Sequence, residues 1–186
     1  MNNDSRGSMV RSAASLIGSR GVNATSFSDV LTDSGAPRGS IYHHFPDGKK
    51  QLAQDAVRWT SDRVLAHQRA YAGTTASGVL QRFIGMWRNV VLASNGAAGC
   101  VVAGVAVDTA EDDVLIEIVR STFRSWVALL TDQLVSAGLP GDRALSIATA
   151  TLAGMEGALI LCRAEGGVAP LDCVAAELLR LLPSES

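Results

Sequence analysis

Cysteine is scarce in this 186-residue chain: Cys100, Cys162 and Cys173 are the whole supply. An odd number at wide spacing excludes a disulfide framework and offers no zinc-ligand pair, so the three read as small buried hydrophobes. Histidine is equally thin, with His43 and His44 adjacent and His67 isolated. No HExxH, no nucleophile elbow and no Gly-rich phosphate loop occurs, so no catalytic residue, metal or cofactor is expected. Charged residues make up only 18% and hydrophobic residues 47%, which excludes a disordered chain and is enough for a packed core. Long apolar runs are missing too. The stretches 101–107 and 158–162 fall far short of the roughly 20 residues that cross a bilayer. The N-terminus, MNNDSRGSMVRS, lacks the apolar core of a secretion signal, and a cytoplasmic location is expected.

What charge there is divides unevenly. Residues 1–70 carry nine Lys/Arg against six Asp, or +3, while the remainder carries seven basic and twelve acidic residues, or −5. A basic head on an acidic body fits nucleic-acid binding by the head alone.

Nearly every segment has a helical period, and the fold class is all-α with about nine helices. Met9, Val10, Ala13, Ala14 and Ile17 share one face of a helix over 7–20 that Gly21 ends. Ser26-Phe27-Ser28-Asp29 is a capping-box pattern opening a short helix to Ser34. Gly35 breaks it, and Pro37 opens a third helix ending near His44 or Phe45. Pro46-Asp47-Gly48 is a turn in which Asp47 can cap a long helix over 48–71. Further helices are expected over 78–94, from near Glu111 to 137, over 142–165, and from Pro170 onward. The Val-rich stretch 99–108 has strand propensity but reads as a short buried helix among helical neighbours. The division is a small N-terminal domain over residues 1–48 and a larger helical domain over 49–186.

Two short helices joined by a tight Gly turn are the layout of a helix-turn-helix, whose second helix enters the major groove. Arg38 can donate a fork of hydrogen bonds to guanine or phosphate. Gly39 allows close backbone approach and Ser40 is a small donor. Tyr42, His43 and His44 can bond phosphate oxygens, and Lys49 and Lys50 begin the next helix, where backbone N–H groups also attract phosphate. Ile41 and Phe45 belong to the core of the small domain. On these residues alone a second reading stands beside DNA binding: a helical ligand-binding or scaffold protein whose basic head binds a protein partner.

The run G-S-I-Y-H-H-F-P-D-G-K-K-Q-L, residues 39–52, strongly resembles the TetR/AcrR family of bacterial regulators. Its extension after the Phe resembles the subgroup of LmrA- and YxaF-like regulators. The resemblance is sharp over residues 9–57 and looser over 78–182. It implies a homodimer on a palindromic operator, with the third helix of each subunit in a major groove. Carried over position by position, Arg38, Gly39 and Ser40 fall where that family contacts bases. Tyr42, His44, Lys49, Ser26 and Ser28 fall where it contacts phosphates, and His43 takes a position that varies. The family also implies a repressor released from DNA when a small molecule enters the larger domain.

An effector pocket is expected among helices four to eight, with Trp59, Phe83, Met86, Trp87, Val90, Val107, Phe123, Trp126, Met155 and Leu159 as candidate lining residues. Aromatic and Met side chains at helical spacing more often simply fill a core. The apolar set predicts an uncharged or cationic, hydrophobic or aromatic effector. Glu156, on an otherwise apolar helix, is costly to bury unless paired, with Arg163 or Arg124 as the expected partner. Ala150, Ala153, Gly154, Gly157 and Ala158, with Leu178 and Leu182, suggest a four-helix dimer contact; the same residues would serve equally for packing inside one subunit.

Overall fold

All regular elements among the described residues of the computed structural model, which are 4–108 and 112–183, are helical. They are α1 (Ser5–Arg20), α2 (Phe27–Ser34), α3 (Ser40–His44), α4 (Gly48–Arg69), α5 (Ala76–Ala93), α6 (Val101–Asp108), α7 (Asp113–Ser136), α8 (Gly141–Glu165) and α9 (Ala169–Arg180). Their ends follow local chemistry. Asp4 caps α1 by accepting from the Gly7 N–H at 3.0 Å, so this helix begins slightly earlier than its apolar period suggests. The capping box of α2 is present, with Ser26 and Asp29 exchanging side-chain and backbone bonds. Gly35 stops α2 at φ 67°, ψ 14°, a left-handed conformation that costs glycine nothing and other residues appreciably.

One start differs from the sequence expectation. The α3 helix opens at Ser40, not at Pro37. The Ser40 backbone N–H and hydroxyl both donate to the Pro37 carbonyl, at 2.9 and 2.6 Å. These i to i+3 bonds make residues 37–40 a tight turn instead of a first α-turn, and they leave Arg38 and Gly39 ahead of the helix. The expected start of α7 near Glu111 lies outside the described residues. Asp112 caps that helix, accepting from the Val114 and Leu115 N–H groups at 3.1 Å each.

The chain packs as two compact units that do not follow chain order. One comprises residues 1–62 and 99–122, the other 63–98 and 123–186. In the first, Met9, Ala13 and Ile17 of α1 meet Val30, Ile41, Phe45, Leu52, Ala53 and Ala56 in a core from which water is excluded. Each large apolar side chain so buried stabilises the fold by roughly 1.5–3 kcal/mol. Val101, Val102 and Val105 of α6 are buried too, so the Val-rich segment is a helix because it has a helix to pack on. The contact is backbone to backbone: a Cβ added at Gly99 would lie 2.0 Å from the Gly18 carbonyl oxygen, and one at Gly104 2.6 Å from that of Ile17.

In the second unit, Leu80, Phe83 and Trp87 of α5, Trp126, Leu130 and Leu134 of α7, Ile147, Met155, Leu159 and Cys162 of α8, and Leu171 and Leu178 of α9 form the core. A chain of ring contacts runs from Phe83 through Trp87 and Trp126 to Phe123, with centroids 5.8–6.5 Å apart. Buried Gln68 ties α4, α5 and α7 together. Its side-chain amide donates to the Val79 carbonyl and to Gln133 Oε1, at 3.1 and 2.8 Å. The α8 helix, at 25 residues, is long and apolar enough by length and composition to span a membrane, which the run-length criterion missed. Its inner face is packed into this unit, and exposed Arg143 and Arg163 interrupt its outside.

Candidate DNA-binding interface

The reading element is assembled by α2 and α3. Phe27 on α2 meets the ring of Tyr42 on α3 edge-on, 5.7 Å between centroids at 78°. Around this contact lies a cleft of about 450 Å³ lined by Phe27, Ser28, Leu31, Thr32, Gly35, Ala36, Arg38 and Tyr42. Tyr42 is 70% exposed, so its hydroxyl faces solvent while its ring steadies the helix pair. Arg38 is exposed and forms no ion pair among the described residues, which leaves its guanidinium fork open for a planar partner.

The structure thus brings Ser28, Arg38 and Tyr42 to one cleft, with exposed Gly39 at the head of α3. The other predicted DNA contacts have partners within the head. The Ser26 hydroxyl donates to Asp29 Oδ2 at 2.7 Å and accepts from the Asp29 N–H at 3.1 Å, so it serves as the cap of α2. The Ser40 hydroxyl is spent on Pro37. His43 is exposed and packs edge-on against half-buried His44, away from the cleft. The Lys49 ammonium donates to the Val22 carbonyl at 3.0 Å, tying the start of α4 to the α1–α2 turn. The Ser26 bonds, joined by Arg20 at 3.2 Å, hold the Asp29 carboxyl below its ordinary range.

Phe27, Leu31, Thr32 and Ala36 also line the cleft and were not singled out from sequence. The signal was available, since positions 27, 28, 31 and 32 are one face of a helix.

In the second unit an open groove of about 710 Å³ runs between α7 and α8. It is lined by Phe123, Val127, Ala128, Leu145, Leu152 and Ala153, with Arg124, Thr131, Asp132, Thr149 and Glu156 among them. Of the ten candidate effector residues only Phe123 lines this groove. Phe83, Trp87, Trp126, Met155 and Leu159 are core, and Met86 is half-buried. Val90 is 38% exposed and Val107 81% exposed, because each falls on the outward side of its helix. Trp59 and Val107 lie in the first unit. The small residues of α8 also divide. Gly154 faces Val174 and Leu178 of α9 within the same subunit and Ala158 is buried, while Ala153 and Gly157 are exposed.

An exposed arginine and tyrosine rim a two-helix cleft on a small helical head, which is the layout of a helix-turn-helix. Residues 10–56 match the model of the bacterial regulatory proteins of the tetR family. Residues 76–177 match the C-terminal domain model of the LmrA/YxaF-like transcriptional regulators. A relative named as the uncharacterized HTH-type transcriptional regulator MT0206 of Mycobacterium tuberculosis is 37% identical over 183 residues, 95% of this chain and 93% of that one. A TetR transcriptional regulator from Legionella pneumophila superposes with a TM-score of 0.87 at 24% identity, over 98% of this chain and 100% of that one. The regulator CifR, as a cysteine mutant complexed with 26bp double-strand operator DNA, superposes with a TM-score of 0.78 at 14% identity, over 95% of this chain and 96% of that one. The chain belongs to the tetR family of transcriptional regulators.

Proposed function

We propose that the protein is a repressor that binds a palindromic operator as a homodimer and is released by a small organic effector. The observation that carries the DNA reading is the α2–α3 cleft with Arg38 and Tyr42 held open to solvent on its rim. Arg38 reads bases, Gly39 admits the backbone, and Ser28, Tyr42 and the backbone N–H groups at the start of α4 meet phosphates. CifR, which shares the fold, is seen with operator DNA, and that supports the same use of this head. Residues 1–48 carry DNA binding, and residues 49–186 carry effector binding and dimerisation. The action is that of a binding protein, not an enzyme, and it takes place in the cytoplasm where the DNA is.

The effector site is the α7–α8 groove, whose apolar walls favour an uncharged or cationic organic molecule, with Arg124, Asp132 and Glu156 as the charged residues of its lining. The dimer contact is the outer face of α8, where Ile160 and Leu161 are 70% and 49% exposed beside exposed Gly157. Small residues there let a second helix approach closely.

The deciding experiment is selection of duplexes from a random pool, followed by binding at graded salt. Enrichment of an inverted repeat, with affinity falling steeply as salt rises, is the expected result. No enrichment, or salt-independent retention, sinks the DNA reading. Sedimentation of an I160D variant as monomer, against a dimeric parent, checks the α8 contact. A thermal-shift screen that finds stabilisation only by small anions would contradict the effector class.

A further inference from the structure

The head of this regulator does not end at α4. Three independent contacts join it to the α6–α7 segment. Helix α6 lies so close to α1 that Gly18 and Gly99 touch through their backbones. At the end of α6, Asp108 Oδ2 accepts from the Asn23 N–H at 3.0 Å, and a Cβ on Gly21 would fall 2.3 Å from the same oxygen. The carboxylate therefore sits directly on the α1–α2 turn. At the start of α7, Asp112 Oδ1 is 2.9 Å from the Lys50 ammonium. Asp112 is itself fixed, since it caps α7 through two backbone bonds.

From the opposite side Lys49 donates to the Val22 carbonyl in the same turn. The turn at residues 21–23 is thus held by α4 through Lys49 and by α6 through Asp108, and the start of α4 is held by α7 through Lys50. Both ammonium groups at the helix start are committed inside the head.

We propose that Asp108 and Asp112 are positioning residues for DNA binding, which act through the α1–α2 turn and through Lys50 to hold the two-helix cleft in its reading geometry. Lys50 is then a strut, not a phosphate contact. The depressed pKa of Asp112, caused first by its bond with Lys50, agrees with a pair that persists across the working pH range. The pair is partly exposed on both sides, so its loss shifts affinity modestly and does not unfold the chain.

This inference rests on the DNA reading above, and its test separates the two. The full chain would be used, with a duplex selected by the parent from a random pool and a scrambled duplex as control. D112N and K50M should each weaken the selected duplex about two- to fivefold, the range expected for a partly exposed pair, and D108A, which removes the acceptor for the Asn23 N–H, should weaken it as well. The K50M/D112N double variant should be no weaker than either single variant, since both remove the same contact. The log–log salt slope should stay parental throughout, because no phosphate contact is lost. Thermal melts of each variant show that it is folded. Tighter binding by D112N, or a slope about 0.9 shallower in K50M, would make Lys50 a phosphate contact and overturn the proposal. Parental affinity in all the variants overturns it as well. A parent that selects no duplex removes the DNA reading itself, and this inference with it.

Discussion

The Asp29 carboxylate accepts from both the backbone N–H and the hydroxyl of Ser26, at 2.9 and 2.7 Å. A serine placed by family resemblance at the DNA backbone is therefore first the residue that starts α2. Replacing it with alanine removes one cap and should cost about 1 kcal/mol of stability, the usual worth of an N-cap. Urea denaturation measures this. The same S26A variant should titrate Asp29 at higher pH, since the Ser26 bonds are the chief cause of its depression. A carboxyl resonance of Asp29 that does not move would show that the capping box is not formed in solution.

Arg38 and Tyr42 rim one cleft yet should fail differently. R38A should lose about 1–3 kcal/mol of discrimination against substituted sites and accept them more evenly. Y42F removes a neutral hydroxyl, so it should weaken every duplex alike and leave the salt slope unchanged. Competition binding against a panel of single-base variants distinguishes the two. Identical specificity profiles for both variants would count against base reading by Arg38.

The α1–α6 contact leaves no room for a side chain. A Cβ at Gly99 would lie 2.0 Å from the Gly18 carbonyl oxygen, a backbone atom that cannot rotate away. G99A should destabilise the protein by about 1–3 kcal/mol through overpacking, lowering the melting temperature. A neighbouring control, G85A, adds its methyl to open space and should be neutral or stabilising.

Arg88 and Asp172 join α5 to α9 by a two-pronged bond, Nε to Oδ1 at 2.7 Å and Nη2 to Oδ2 at 3.1 Å. The guanidinium holds the Asp172 carboxyl below its ordinary range. A carboxyl whose folded pKa is depressed contributes stability above its unfolded pKa and loses that contribution as pH falls through the folded one. The parent should therefore hold its melting temperature from neutral pH down to the ordinary aspartate range and lose it below. R88M should start lower at neutral pH and fall less on acidification, so that the two curves converge. Parallel curves would show that the pair does not form.

Much of this protein was legible without coordinates. The capping box at Ser26, the stop at Gly35 and the apolar face of α1 depend on residues three or four positions apart, within reach of the chain's own hydrogen bonds. The motif from Gly39 to Leu52 is equally local, which is why the helix-turn-helix could be read directly. Burial against distant elements is not written in local spacing. Trp87 and Trp126 have the composition of a pocket wall, and only the packing of α5 against α7 makes them core. Val107 has the period of a buried residue, and only the placement of α6 on α1 turns it to solvent. Lys49 and Lys50 look like two free charges at a helix start. Their commitment to Val22 and Asp112 depends on partners 27 and 62 positions away. The sequence by itself determined the helices, their ends and the family. The tertiary structure decided which side chains remain open to bind, because that depends on how far apart parts of the chain exclude water from one another.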